Sequence, residues 1–144
     1  MHIACRAVMG ILTLIAFVVL LLPHLAAAGG APVTPNTANW APCGDAFPGC
    51  ELAVVQGDPS KGPSDLFVRV PRSSVFPKHW HTSAERIVGV SGQMLINVEG
   101  GESFYLTPGM YFYLPGRAVH SARCDVPCVI FIGLDQPMDI TLVK

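Results

Sequence analysis

From residue 51 to the C-terminus the chain is a series of short apolar runs, several alternating with polar residues, set apart by Gly, Pro, Asp and Ser. Successive side chains of a strand face opposite sides of a sheet, so runs of this period read as half-buried strands. ELAVVQ (51–56) and LFVRV (66–70) read as strands, the second with Leu66, Val68 and Val70 on one face, and GDPSKGPSD (57–65) as the loop between them. VFPKHWH (75–81) reads as extended, and ERIVGV (85–90) and QMLINVEGG (93–101) as strands, the latter ending in a Gly-Gly turn. SFYLTPGMYFYLPG (103–116) reads as two strands split by Pro108-Gly109; AVHSARC (118–124) and CVIFIGL (128–134) read as a hairpin, and MDITLV (138–143) closes the chain. No segment carries a capped helical periodicity, and no internal repeat is visible. Many short strands at regular spacing predict an all-β single domain, a sandwich or barrel over residues 51–144. Residues 29–50, rich in Ala, Pro, Thr and Asn, read as an extended arm in front of it.

The first 28 residues change the picture of where this domain works. Arg6 gives a short positive start, Val8 to Leu22 is apolar, Pro23 ends the run, and Ala26-Ala27-Ala28 precede Gly29. This is the pattern of a secretory signal peptide, residues 1–28, cleaved before Gly29. The apolar run falls short of the roughly 20 residues a membrane span needs, so no stable membrane anchor is expected after cleavage. The predicted mature chain is therefore secreted or periplasmic. It keeps all ten acids and loses only Arg6 among the nine basic residues, leaving a net charge near −2. No basic patch with interleaved aromatics is present, which disfavours nucleic-acid binding. Four cysteines remain, Cys43, Cys50, Cys124 and Cys128. An even number in an exported chain predicts two disulfides, and four cysteines allow three pairings. The turn-like spacers CGDAFPGC and CDVPC favour the local pairs Cys43–Cys50 and Cys124–Cys128. A C-x2-C zinc spacing is absent.

The mature chain has only three histidines, His79, His81 and His120, and two of them lie one residue apart. On a strand His79 and His81 project to the same side while Trp80 points away. Thr82 and Ser83 suit a turn, after which Glu85 opens the next strand and can return beside them. His120 follows the turn LPGRAV, which can bring it to the same rim. Three imidazoles and a carboxylate make a ligand set for one divalent transition-metal ion, with Mn, Fe, Ni, Cu and Zn not distinguished.

The chain resembles the cupin superfamily at these residues. The first cupin motif runs Gly, five residues, His-x-His, three or four residues, Glu, six residues, Gly; His79, His81, Glu85 and Gly92 match it, and Ser73 stands at the leading Gly. The second runs Gly, five residues, Pro-x-Gly, two residues, His, three residues, Asn. Gly109, Pro115 and His120 match it, with Arg117 at the second Gly and Cys124 at the Asn. The resemblance implies a jelly-roll β-barrel with a metal inside one mouth, and pairing as a homodimer through its sheets.

One fold of this kind hosts many activities, so the resemblance does not choose one. The expectation is an exported metal-binding cupin that acts on, or senses, a small-molecule ligand. The alternatives are a metal-dependent oxidoreductase of dioxygenase or oxidase type, and a cupin whose metal only holds the barrel. Beyond the metal ligands, Arg117 is a candidate for an anionic substrate group, and Tyr113, Met94 and Phe131 are candidates to line a cavity. No free His or Cys remains as a further acid or base.

Overall fold

In the computed structural model, which describes residues 30–144, Pro32–Lys144 form one unit. The predicted signal segment 1–28 lies outside the described residues. The strands are β1 (Ala41–Pro42), β2 (Glu51–Gly57), β3 (Ser64–Val70), β4 (Val75–Trp80), β5 (Glu85–Ser91) and β6 (Met94–Val98). They continue as β7 (Ser103–Leu106), β8 (Tyr111–Leu114), β9 (His120–Cys124), β10 (Cys128–Leu134) and β11 (Thr141–Leu142). One sheet runs β1-β2-β3-β10-β5-β8 and the other β11-β4-β9-β6-β7, every named strand pair being antiparallel. The all-β reading holds: two sheets close on a shared core in a cupin jelly-roll barrel.

Period-two alternation decides what the core contains. In β3, Leu66, Val68 and Val70 are buried while Asp65, Phe67 and Arg69 face outward. Met94 and Ile96 from β6, Ala122 and Cys124 from β9 and Ile130 from β10 join the same apolar cluster. The outward residues pair across strands instead. Phe67 meets Phe131 edge-on at 5.8 Å between ring centroids, and Arg69 binds Glu51 at 2.6 Å.

One expectation about connectivity is overturned. The segments AVHSARC and CVIFIGL do not form a hairpin: β9 pairs with β4 and β6, while β10 pairs with β3 and β5 in the other sheet. Alternation shows which side of a strand is apolar but not which strand lies beside it. Both β9 and β10 carry inward apolar residues, and these face each other across the core, an arrangement that two neighbours in one sheet cannot adopt. The Cys124–Cys128 disulfide spans this crossover and Cys43–Cys50 closes the loop of the arm, the two local pairings that the spacers predict. Such bonds persist in a non-reducing compartment.

The arm is integral to the barrel. Ala41–Pro42 pair with Leu52 and Glu51, Trp40 stacks under the Arg69 guanidinium at 4.4 Å, and Phe47 is buried in the core cluster. Its few apolar residues are spaced without period, so the sequence carries no sign of this docking.

The two cupin-motif glycine positions that carry another residue, Ser73 and Arg117, are the two non-glycine residues with positive φ among those described, at 63° and 66°. Left-handed backbone costs an L-residue about 1–2 kcal/mol through the Cβ–carbonyl contact. Each is held there by its own N–H: Ser73 donates to the Cys124 carbonyl and Arg117 to the His81 carbonyl, both at 2.7 Å. Ser73→Gly is therefore expected to raise unfolding stability by about 1 kcal/mol. Arg117→Gly should gain less, because it also gives up a contact with Trp80. Urea midpoints at unchanged slope measure both; a lower midpoint for Ser73→Gly would contradict this account of the turn.

Candidate metal centre

His79 lies near the end of β4 and His81 just beyond it, and a bulge in the strand brings them inward. Phe76 pairs with Ala122 and His79 with His120, so β4 carries one extra residue between Phe76 and His79. Phe76 and His79 both face the cavity although three positions apart, which regular alternation forbids and a bulge permits. Pro77 sits within the bulge, where it has no N–H to offer a ladder. His120 opens β9 directly across from His79, and Glu85 opens β5 in the opposite sheet. The four residues predicted as ligands are thus brought together, all of them buried.

The turns that carry them are tightly packed. A Cβ on Gly116 would lie 2.5 Å from the Thr82 carbonyl, so only glycine allows the turn 115–118 to rest on the turn after His81. The Ser83 hydroxyl, fully buried, accepts from the N–H groups of Asp135 and Gln136. The Asp139 carboxylate accepts from the Thr82 N–H at 2.7 Å and from the Thr82 hydroxyl. These bonds hold its pKa below the usual carboxylate range.

Hydrogen bonds fix the protonation of each imidazole. Nδ1 of His79 lies 2.6 Å from the Pro77 carbonyl and Nδ1 of His120 3.0 Å from the Ala118 carbonyl, while Nδ1 of His81 bonds the Asp139 carbonyl. A carbonyl oxygen only accepts, so each Nδ1 carries the proton and, in the neutral ring, each Nε2 presents a lone pair. One ligand atom from each of the three rings can be chosen so that all lie within 4.8 Å of one another. The Glu85 carboxylate faces them, 3.5 Å from His81 Nε2 and 3.7 Å from His120 Nε2, too far for direct hydrogen bonds. Lone pairs converging in a buried space, each ring anchored by its far nitrogen, are the donor arrangement of a metal site. The residues present fit an ion.

Electrostatics agrees. Burial pushes the His120 pKa down to about 4, and burial likewise lowers that of His79. For these two rings burial therefore favours neutral imidazole, the form that ligates. Burial raises the Glu85 pKa, which the neighbouring His81 partly opposes.

A cavity of about 100 Å³ adjoins these four side chains. Met94 lines it as the sequence predicts. Three other predicted lining or substrate residues do not. Tyr113 is exposed on the outer face of β8, because alternation turns Leu114 inward in its place. Phe131 packs outward on Phe67, because Ile130 and Ile132 take the inner face of β10. Arg117 sets its guanidinium 5.6 Å over the Trp80 ring, on the side of β4 away from the histidines. Reasoning from the sequence missed Phe47, which lies 5.7 Å from His79 between ring centroids, and Met138 and Ile140, which complete the wall. It also missed Asp139. The alternation in MDITLV was the only available signal for the C-terminal pair.

The chain matches the ChrR cupin-like domain model over residues 29–137. It belongs to the ChrR cupin-like family. It is 29% identical over 99 residues to the DNA damage-repair/toleration protein DRT102 of Arabidopsis thaliana, covering 68% of this chain and 31% of that one, so it spans about a third of that relative's length. Among solved structures it resembles the polyketide cyclase RemF of Streptomyces resistomycificus, with a TM-score of 0.67 at 14% identity over 81% of this chain and 87% of that one. It also resembles an RmlC-like cupin of Shewanella frigidimarina, with a TM-score of 0.61 at 16% identity over 76% of this chain and 92% of that one. At such identities the likeness is one of fold.

The lowered histidine pKa values set a pH dependence for metal-free protein. Between the unfolded value of 6.5 and the folded value of about 4 for His120, the unfolded chain binds more protons than the folded one, and His79 acts in the same direction. Glu85 acts oppositely, because its raised pKa lets the folded chain keep a proton the unfolded chain has lost. The His120 contribution is isolated by comparing variants. In the presence of a chelator, wild-type protein should lose more melting temperature from pH 7 to pH 4.5 than His120→Asn does, because only the wild type carries the ring whose pKa is held down to about 4. Equal pH slopes in the two proteins would contradict the burial of a neutral ring at that position.

Proposed function

We propose that this chain is an exported cupin that holds one divalent transition-metal ion on the Nε2 atoms of His79, His81 and His120 and a carboxylate oxygen of Glu85. The adjoining cavity then binds a small molecule, which the protein senses or acts upon. The observation that carries the reading is the set of three Nδ1–H bonds to main-chain carbonyls, which leaves three lone pairs aimed into one buried space. When bound, the ion would supply a Lewis-acidic, positively charged point at the floor of the cavity. The chain's own residues orient the ligand atoms, exclude water with an apolar wall, and leave room for a guest. That room favours ligand binding over a purely structural metal. Apart from the four ligands, no titratable acid or base lines the cavity among the described residues. Sensing, or a reaction that needs no additional proton carrier, suits it best. The predicted signal peptide at 1–28, together with two disulfides, supports export.

Metal content tests the reading. Wild-type protein offered Mn, Fe, Ni, Cu and Zn in turn should take up one ion per chain. His79→Ala, His81→Ala, Glu85→Ala and His120→Ala should each lose occupancy at matched folding by circular dichroism. Trp80→Ala, on the opposite strand face, should keep it. Full occupancy in the histidine variants would sink the proposal.

A second expectation concerns Asp139, which bonds His81 through its carbonyl and Thr82 through its side chain. Groups that orient metal-bound histidines are worth about 10–100-fold in affinity. Asp139→Ala is expected to weaken zinc binding about tenfold in a chelator competition, with Asp139→Asn restoring part of the loss. Equal affinity in all three proteins would show that His81 is held without this clamp.

A further inference from the structure

The wall of the cavity is one-sided in its chemistry. Its polar groups are the three imidazoles and Glu85, gathered at one end. Every other lining residue is apolar or belongs to the Cys43–Cys50 disulfide; no Lys, Arg, Ser, Thr, Asn, Gln or Tyr is among them. From this we infer that the ligand is a small monoanion with a single metal-seeking head, such as a carboxylate or thiolate, and a plain hydrocarbon tail of about four carbons. The head rests on the metal reading above; the tail rests on the wall alone.

Each part follows from a separate constraint. Three neutral imidazoles, one carboxylate and a divalent ion leave one positive charge buried with no other counter-ion in the wall, and a monoanionic head neutralises it. A second polar group on the ligand would be buried facing Ile87, Ile96 and Ile130 with nothing to bond, at a loss of roughly tenfold or more in affinity. Sugars, phosphoesters, amino acids and dicarboxylates are thereby disfavoured. The size follows from volume. A dry apolar cavity of about 150 Å³ accepts the six carbons of benzene, so one of about 100 Å³ accepts about four.

Two measurements on the full chain separate the halves. First, metal-free protein labelled at the methionine methyls is put under xenon, a neutral apolar probe. The Met94 and Met138 resonances should shift and that of Met110, which lies on an outer groove, should not. No shift, or an equal shift at Met110, overturns the apolar tail site. Second, cobalt-loaded protein is titrated with acetate, propionate, butyrate, valerate, octanoate and succinate, read from the visible cobalt spectrum. Affinity should rise about fourfold per methylene, about sixtyfold over the three methylenes from acetate to valerate, and rise no further at octanoate; succinate should bind more weakly than butyrate. Acetate equal to valerate, or succinate equal to butyrate, overturns the proposal. Failure to take up cobalt sinks the metal reading and the anionic head with it, while the xenon result still decides the tail. Ala122→Leu, which fills the cavity, should bring valerate down to acetate's affinity with cobalt retained. If that variant does not fold, Met138→Ala, which enlarges the cavity, should move the preferred tail to a longer chain; an unmoved preference counts against the assignment.

Discussion

Each of the three imidazoles at the centre of the barrel gives its Nδ1–H to a main-chain carbonyl, from Pro77, Asp139 and Ala118. Because the acceptor cannot also donate, the tautomer of each ring is fixed by backbone alone and needs no carboxylate partner. The rings are then confined in rotation, and their remaining nitrogens have one direction available. The bulge at Pro77 contributes twice, turning His79 inward and aiming a carbonyl at the same ring. A regular strand through residues 75–80 would put Phe76 and His79 on opposite faces and dissolve the site.

The four side chains do not come from one sheet. His79 and His120 are cross-strand neighbours in the five-stranded sheet, whereas Glu85 opens a strand of the six-stranded one. Their convergence therefore depends on how the two sheets are spaced and aligned, and the segments that set this spacing are short. Ser83 ties the turn before β5 to the chain leaving β10, and the Cys124–Cys128 crossover fixes where β10 begins relative to β9. The buried polar groups and the apolar core are in this sense one structure: the core positions the sheets, and the sheets position the three imidazoles and the carboxylate.

Much of this was legible in the residues. Alternation gave the strands from β2 onward, because it reports burial directly. The spacing of His79, His81 and Glu85 gave the grouping of these side chains, because strand period and one tight turn suffice to place them. Neighbour identity was not legible: the inward residues of β9 and β10 look alike whether the strands pair or face each other, and only long-range register separates the cases. The glycine positions held by Ser73 and Arg117 look like departures in sequence, yet the backbone still takes up the left-handed turn at both. Tyr113 and Phe131 were misassigned for a single reason: aromatic content does not say which face of a strand is inside. Asp139 acts at His81 through its main-chain carbonyl, an atom every residue has, so no residue type could announce it.

The loop between Cys43 and Cys50 forms part of the cavity wall, with Phe47 at its tip packed on Phe76. Its two ends are bonded to each other, and it contributes no rung to the sheets that carry the ligands. A change within residues 44–49 would therefore reshape one wall of the pocket without touching a sheet ladder, but a loop that lacked Phe47 would also take a buried ring out of the core and off the face of His79.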